Sequence, residues 1–315
     1  MPLDLVFCGT PSFAVPTLET LVASGHRVHL VITQPDRPKG RGLELVASPV
    51  KQSALKLSLP ITQPEKIKTN EEFRAQLAHI KPDALIVVGY GRIIPQWMLE
   101  LPPLGNINLH ASLLPKFRGA APIQWAIANG DSVTGNTTMR IDAGLDTGDI
   151  LLQQELPIAP DDTSAILAPK LAAAGADLMI ETLRGLQAGT IRPRPQDPAQ
   201  ATLAPILKKE DGQLDFSRTA TEIYNRLRAF QPWPGAHTRF RGKALQILKA
   251  RPTTNLHQSE LKPSKIKVVA DRLLVACGQD TCLEILELQL EGKKRTPAKD
   301  FIHGYNPKPS EKLGL

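Results

Sequence analysis

The chain is short of several things, and each shortage removes a class of protein. It has three cysteines, Cys8, Cys277 and Cys282, an odd number with no Cys-x-x-Cys pair. A reduced, cytoplasmic setting with three buried structural thiols is therefore expected. No apolar run approaches the ~20 residues that span a bilayer. The opening residues "MPLDLVFCGTPSF" lack the basic start of a leader peptide. The turn after the first apolar run, "CGTPSFAVP", offers one glycine, Gly9, where a dinucleotide fingerprint needs three. No Gly-Lys-Ser/Thr phosphate loop is present. His26 and His29 stand in a strand-like stretch and the other histidines are scattered without a ligand spacing, so no metal is expected. Repeats and low-complexity tracts are missing too.

What is there is a 42% hydrophobic, 22% charged chain of 315 residues, enough for two domains. Its +7 charge is unevenly spread. From Lys208 onward there are 20 Lys+Arg against 12 Asp+Glu, or +8; before it the counts are 18 and 19, or −1. A basic domain joined to a near-neutral one is either a solubility surface or the footprint of a polyanion binder.

Along residues 1–190, short apolar runs alternate with helical patterns, the mark of a doubly wound, mostly parallel α/β sheet. "LDLVFCG", "HRVHLVIT", "DALIVVGYG" and "NINLHAS" read as strands. Ser48 caps a helix that has Pro49 in its first turn. Thr69 and Glu72 are spaced as a capping box for the next helix. "GNTTMRID" and "DILLQQELPI" form a β-rich pair, and a long helix follows with Pro169 inside it. In "QPDRPKGRG", Pro35 and Pro38 argue against a strand. Residues 191–207 are Pro-rich and aperiodic, a linker. Residues 208–315 hold one helix, with several short strands expected to close into a small, OB-like β-barrel.

One stretch breaks the pattern. "NINLHASLLPKFRGAAP" places Asn108 and His110 two residues apart, on one side of a strand, and then stops in a turn. In open α/β sheets that carboxyl edge is where ligands bind. Downstream, "RIDAGLDTGDIL" carries Asp142, Asp146 and Asp149 among glycines, a loop able to bring a carboxylate to an imidazole. Amide, imidazole and carboxylate suit acyl transfer: the amide stabilises an oxyanion, His moves a proton, Asp orients it. Without a Ser or Cys nucleophile elbow, direct attack is expected.

"NLHASLLPKFRGAAP" with "DAGLDTGDIL" resembles the folate-dependent formyltransferases. The "QPDRPKGRG" loop and "FQPWPGAHTRF" narrow the resemblance to the branch acting on methionyl initiator tRNA, and it runs nearly end to end. It implies that Asn108, His110 and Asp146 are catalytic, and that Ser112, Leu113, Leu114, Pro115, Gly89, Arg92 and Asp142 touch folate. It also implies that Arg37, Lys39, Arg41, Lys208 and Lys209 touch tRNA. The formyl donor would be 10-formyltetrahydrofolate, giving tetrahydrofolate, with no metal; a monomer away from membranes is expected. The alternative is a formyltransferase acting on a purine precursor or a UDP-amino sugar. Asn136 stands where the family usually has a hydrophobic residue, and Ile206 where it usually has Lys.

Overall fold

The structure, a computed structural model, describes residues 1–39, 44–253, 262–309 and 311–314. It divides into two compact units: residues 1–122, 133–157 and 168–204, and residues 123–132, 158–167 and 205–315. The cut expected at residue 190 falls inside the first unit, which keeps the chain to Ala204.

The first unit is built on strands β1 (Asp4–Gly9), β2 (Arg27–Ile32), β5 (Ile61–Thr62), β6 (Ala84–Val88), β7 (Asn106–His110), β8 (Val133–Arg140) and β9 (Ile150–Pro157). Their order is β5-β2-β1-β6-β7-β8-β9. The first five are parallel, while β8 and β9 run antiparallel at one edge. Alternate residues of β1 feed two cores. Leu5 and Phe7 pack with Leu18 and Leu21 of α1 (Val15–Ala23), Val50 of α2 (Pro49–Lys56), and Met179 and Leu183 of the long helix α6 (Ser164–Ala188). Val6 and Cys8 pack with Phe73 and Leu77 of α3 (Glu71–Ile80) and Met98 of α4 (Gln96–Leu99). A sheet covered on both faces needs strands that are apolar throughout, which is why β1 and β6 read as continuous hydrophobic runs. Each fully buried side chain such as Phe7 contributes roughly 1.5–3 kcal/mol. Cys8 is one of them, and burial pushes its thiol up to about 12, leaving it inert.

Two local expectations are corrected. Ser48 does cap α2, accepting from Lys51 N at 3.1 Å. The cap of α3, however, is Asn70, whose Oδ1 accepts from Phe73 N at 3.0 Å, not Thr69. Adjacent residues were both cap-competent, and Asn70 takes the extended backbone conformation (φ −96°, ψ 96°) that a cap requires. Second, Arg37–Lys39 (β3) and Glu44–Val46 (β4) pair as an antiparallel ribbon, with Pro38 opposite Leu45. A two-stranded ribbon is all edge, so a proline without an N–H is tolerated there.

The second unit holds α5 (Pro122–Ala128, all but its first residue) and α7 (Ala220–Ala229), whose capping box joins Thr219 and Glu222. Trp125 of α5 meets Phe230 edge-on at 5.5 Å, and its Nε1 donates to Pro205 O. The β domain comprises β10 (Ala236–Phe240), β11 (Lys243–Thr253), β12 (Ile266–Val269), β13 (Arg272–Ala276), β14 (Cys282–Leu290) and β15 (Thr296–Pro297), followed by α8 (Ala298–Tyr305). All neighbours are antiparallel, in the order β10-β11-β14-β13-β12 with β15 on β14. The edges β10 and β12 are joined by the tail. Leu313 N donates to Ser264 O, Ile266 N to Glu311 O and Gly314 N to Arg239 O. The expected barrel thus closes through those last residues rather than by a ladder between its edge strands. Covering both edges removes a template for unwanted strand pairing. Among the described residues no helix is long and apolar enough to cross a membrane.

Candidate active site

Strand β7 lies between parallel β6 and antiparallel β8, with Asn108 opposite Val87 and Met139, and His110 opposite Thr137. It ends at His110, so Asn108 and His110 project from one face at the carboxyl end. The loop between β8 and β9 then delivers Asp146. His110 is 6% exposed, and its Nε2 lies 3.3 Å from Asp146 Oδ2 and 3.3 Å from Gly119 O. Facing two oxygens, Nε2 carries a hydrogen to donate. The other nitrogen, Nδ1, is 2.9 Å from Ser112 Oγ, which donates to Lys116 O at 2.7 Å. A hydroxyl has one hydrogen and rotates. Directed at Lys116 O it accepts from Nδ1–H, and turned to the ring it donates to a bare Nδ1. The imidazole can therefore gain or lose a proton without moving, as a proton shuttle requires.

Asp146 is held from several sides. Its backbone is left-handed (φ 52°) in a Gly-rich turn, and Gly119 N donates to its Oδ2 at 2.8 Å. Burial pushes the carboxyl up, yet the contact with His110, the Gly119 N–H and the Arg118 charge outweigh it and hold the group below the usual carboxylate range. Asp146 is thus a fixed negative charge at the edge of a buried imidazole. Among the described residues the Asn108 side chain makes no hydrogen bond, so its amide can serve an incoming oxygen.

The turn after β7 is braced from below. Thr137 Oγ1 donates to Ser112 O at 2.6 Å and accepts from Leu114 N at 3.1 Å. Gln153 Nε2 donates to Leu114 O and to Thr137 Oγ1. Leu113 and Pro115 stay partly exposed on this fixed frame. Gly89 is exposed just past β6 with φ +56°, and a Cβ there would meet Pro11 Cγ at 2.8 Å. Only glycine fits that turn. Arg92 hydrogen-bonds Glu65 O. Asp142 is exposed and accepts from Gly144 N and Thr147 Oγ1, bracing the Asp146 turn.

The basic residues belong to both units. Arg37 on β3 is exposed, its NH2 3.0 Å from Gln34 Oε1, and it lines a cavity of about 330 Å³ with Thr10, Gln34, Pro38, Val46 and Ser48. Lys39 ends β3, and Arg41 lies outside the described residues. Lys208 and Lys209 are exposed in the second unit. Within the first unit the structure therefore brings Asn108, His110, Asp146 and the 112–115 turn together. Reading the sequence missed Gly119, Arg118, Thr137, Gln153 and Gln196, all polar contacts that no spacing rule anticipates.

An open α/β sheet that brings an amide, an imidazole and a carboxylate to one strand end offers the groups that acyl transfer needs. The chain belongs to the formyl transferase family, whose model matches residues 4–183. The model of the formyl transferase C-terminal domain matches residues 206–306. Among individual proteins, it is 66% identical over 310 residues to the methionyl-tRNA formyltransferase of Koribacter versatilis, covering 98% of each chain. It is 62% identical over 312 residues to that of Acidobacterium capsulatum, covering 99% of this chain and all of the relative. Among solved structures, the N-formyltransferase of Helicobacter canadensis, crystallised with folinic acid and dTDP-3-aminofucose, superimposes with a TM-score of 0.65 at 18% identity. That match covers 90% of this chain and 98% of that one, and at such identity it speaks to the fold alone.

Proposed function

We propose that the protein transfers the formyl group of 10-formyltetrahydrofolate to the α-amino group of methionyl initiator tRNA, supplying formylmethionyl-tRNA for translation initiation. The full-length identity to methionyl-tRNA formyltransferases supports the reaction. The observation that carries the mechanism is the 3.3 Å contact of His110 Nε2 with Asp146 Oδ2 at the end of β7.

An α-amino group titrates near pH 7.7–8.0, and the ester beside it lowers that value, so much of the acceptor is neutral and nucleophilic at pH 7. The donor nitrogen is aniline-like and leaves readily. His110 takes the proton shed by the attacking amine and returns it to the departing nitrogen, its Nδ1 side buffered by the Ser112 hydroxyl. Asp146 balances the charge on the ring while the proton is in transit. Asn108 donates to the oxygen on which negative charge builds, a contribution on the order of 10²–10³ in rate for comparable donors. Ser112 to Pro115, with Gly89, Arg92 and Asp142, form the folate side. Arg37, Lys39, Arg41, Lys208 and Lys209 serve the tRNA. Three buried thiols, none in a disulfide, fit a reducing cytoplasm.

A single assay tests the acceptor. Purified protein and 10-formyltetrahydrofolate are offered charged initiator tRNA, a glycinamide ribonucleotide and a UDP-amino sugar. Formylation of the tRNA alone is expected, and preference for either small amine would overturn the reading.

A further inference from the structure

Residues 184–205 fall between the two stretches matched by the family models, and most of them look like a spacer. The structure gives part of that stretch a different job. Ile150 and Arg194 exchange backbone hydrogen bonds at 2.8 and 2.9 Å, and Arg194 NH2 reaches Gln153 Oε1. Arg118 N donates to Thr202 O, Ala204 N donates to Arg118 O, and Ala121 N donates to Ala204 O. The segment is laced to the chain on either side of the catalytic turn. Gly119 shows how closely: a Cβ there would stand 2.6 Å from Ala204 O.

Gln196 sits at the centre of this lacing and is 9% exposed. Its Nε2 donates to Asp146 O at 2.8 Å and to Gly148 O at 2.7 Å. Its Oε1 accepts from Arg118 Nε at 3.1 Å and NH2 at 2.7 Å. Two carbonyls require donors and a guanidinium requires an acceptor, so the amide has one workable orientation and all its main capacity is used. The carbonyl it holds belongs to Asp146, so the amide secures the left-handed backbone from which the carboxylate projects. The guanidinium it holds belongs to the residue preceding Gly119, whose N–H clamps the same carboxylate. One buried amide therefore fixes both ends of the Asp146 cradle.

We infer that Gln196 is a positioning residue for the formyl transfer, acting through Asp146 and without touching substrate. The inference rests on the reading of His110 and Asp146 as the reacting pair. Misplacing such a group by about 1 Å costs roughly 100-fold in rate, and that is the loss expected in kcat for Gln196→Ala. KM for both substrates should stay within about twofold, because the amide faces the turn from behind. Gln196→Glu keeps the Arg118 partner and the side-chain shape but sets an oxygen against two carbonyls, so it should lose a similar factor while keeping the fold.

The deciding experiment is a cycle of single-turnover formylation rates for the wild type, both Gln196 variants, Asp146→Asn and the double variants. If Gln196 acts through Asp146, its substitution in the Asp146→Asn background should cost less than about threefold. Gln196 variants at wild-type rate beside a crippled Asp146→Asn overturn the inference alone. Losses that multiply in the double variants overturn it too, as do losses confined to KM or shared with a collapse of the melting temperature in Gln196→Glu. Asp146→Asn at wild-type rate overturns the site reading itself, and the inference with it.

Discussion

The two units of this chain solve opposite problems with the same alphabet of polar side chains. In the first, the polar groups that hold His110 and Asp146 are each matched to a named partner within a few ångströms, and the Asn108 amide is left for an incoming oxygen. In the second, the excess of +8 over residues 208–315 is spread over an antiparallel β domain, and much of it is exposed. Part of that excess is internally engaged: Arg251 and Arg272 bracket the buried Glu284, and their hydrogen bonds, that of Arg272 foremost, hold its carboxyl below the usual range against the effect of burial. Lys208 and Lys209 remain at the surface. A reaction centre needs direction, which comes from buried hydrogen bonds. A polyanion site needs field, which comes from number and exposure.

Perturbations of the first kind should be large and insensitive to salt. His110→Ala should lower kcat by about 10²–10⁴, the range for loss of a general acid–base group, with tRNA affinity kept. Steady-state rates set against a binding titration check this, and turnover within a few-fold of wild type would remove His110 from the chemistry. Asp146→Asn keeps shape and loses charge, so it should fall by a comparable factor, read in the same assay.

Perturbations of the second kind should be moderate and should depend on salt. Lys208→Glu with Lys209→Glu should weaken tRNA binding and flatten the slope of log affinity against log salt by about 0.7–0.9 per phosphate contact removed. Folate-side kinetics should not change. An unchanged slope would place both lysines off the tRNA.

The pH dependence of stability probes the first region again, with a smaller effect. The Asp146 carboxyl is held below its unfolded value. Its stabilisation is therefore complete above about pH 4 and is lost as pH falls through the lower folded value. Chemical unfolding of the wild type should approach that of Asp146→Asn as pH drops from about 5 toward 2. Curves that stay parallel would mean the carboxylate is not stabilised by the fold.

The smallest expected effect concerns Asn136, fully buried on β8, where Nδ2 donates to Leu171 O and Oδ1 has no partner among the described residues. A buried orphan acceptor costs about 1–3 kcal/mol, partly offset by the bond Nδ2 makes. Asn136→Val should thus raise stability by about 1 kcal/mol, and a clear loss would show that the amide is needed.

The comparison also separates what could be read in advance from what could not. Strands β1 and β6 were legible because a doubly covered sheet imposes continuous apolar runs, β7 because its apolar residues alternate, and α2 because its Ser48 cap is local. Asn108 and His110 were legible as a pair because strand geometry has a period of two. Asp146 was legible only as one of three carboxylates in a Gly-rich loop, since its left-handed backbone is set by tertiary contacts. Gln196 was not legible at all: it lies in an aperiodic, Pro-rich segment, and its partners are up to 78 residues away. The β3–β4 ribbon was missed because proline is excluded from central strands, a rule that does not bind a two-stranded ribbon in which both strands are edges.

One measurement tests the division of labour most directly: steady-state formylation of methionyl initiator tRNA from 10-formyltetrahydrofolate across a salt series. If buried hydrogen bonds perform the chemistry and exposed charge performs the binding, KM for tRNA should climb at least about tenfold between low and physiological salt. Over the same range kcat and KM for the folate should stay nearly flat. A kcat that falls with salt while KM for tRNA holds steady would contradict the account.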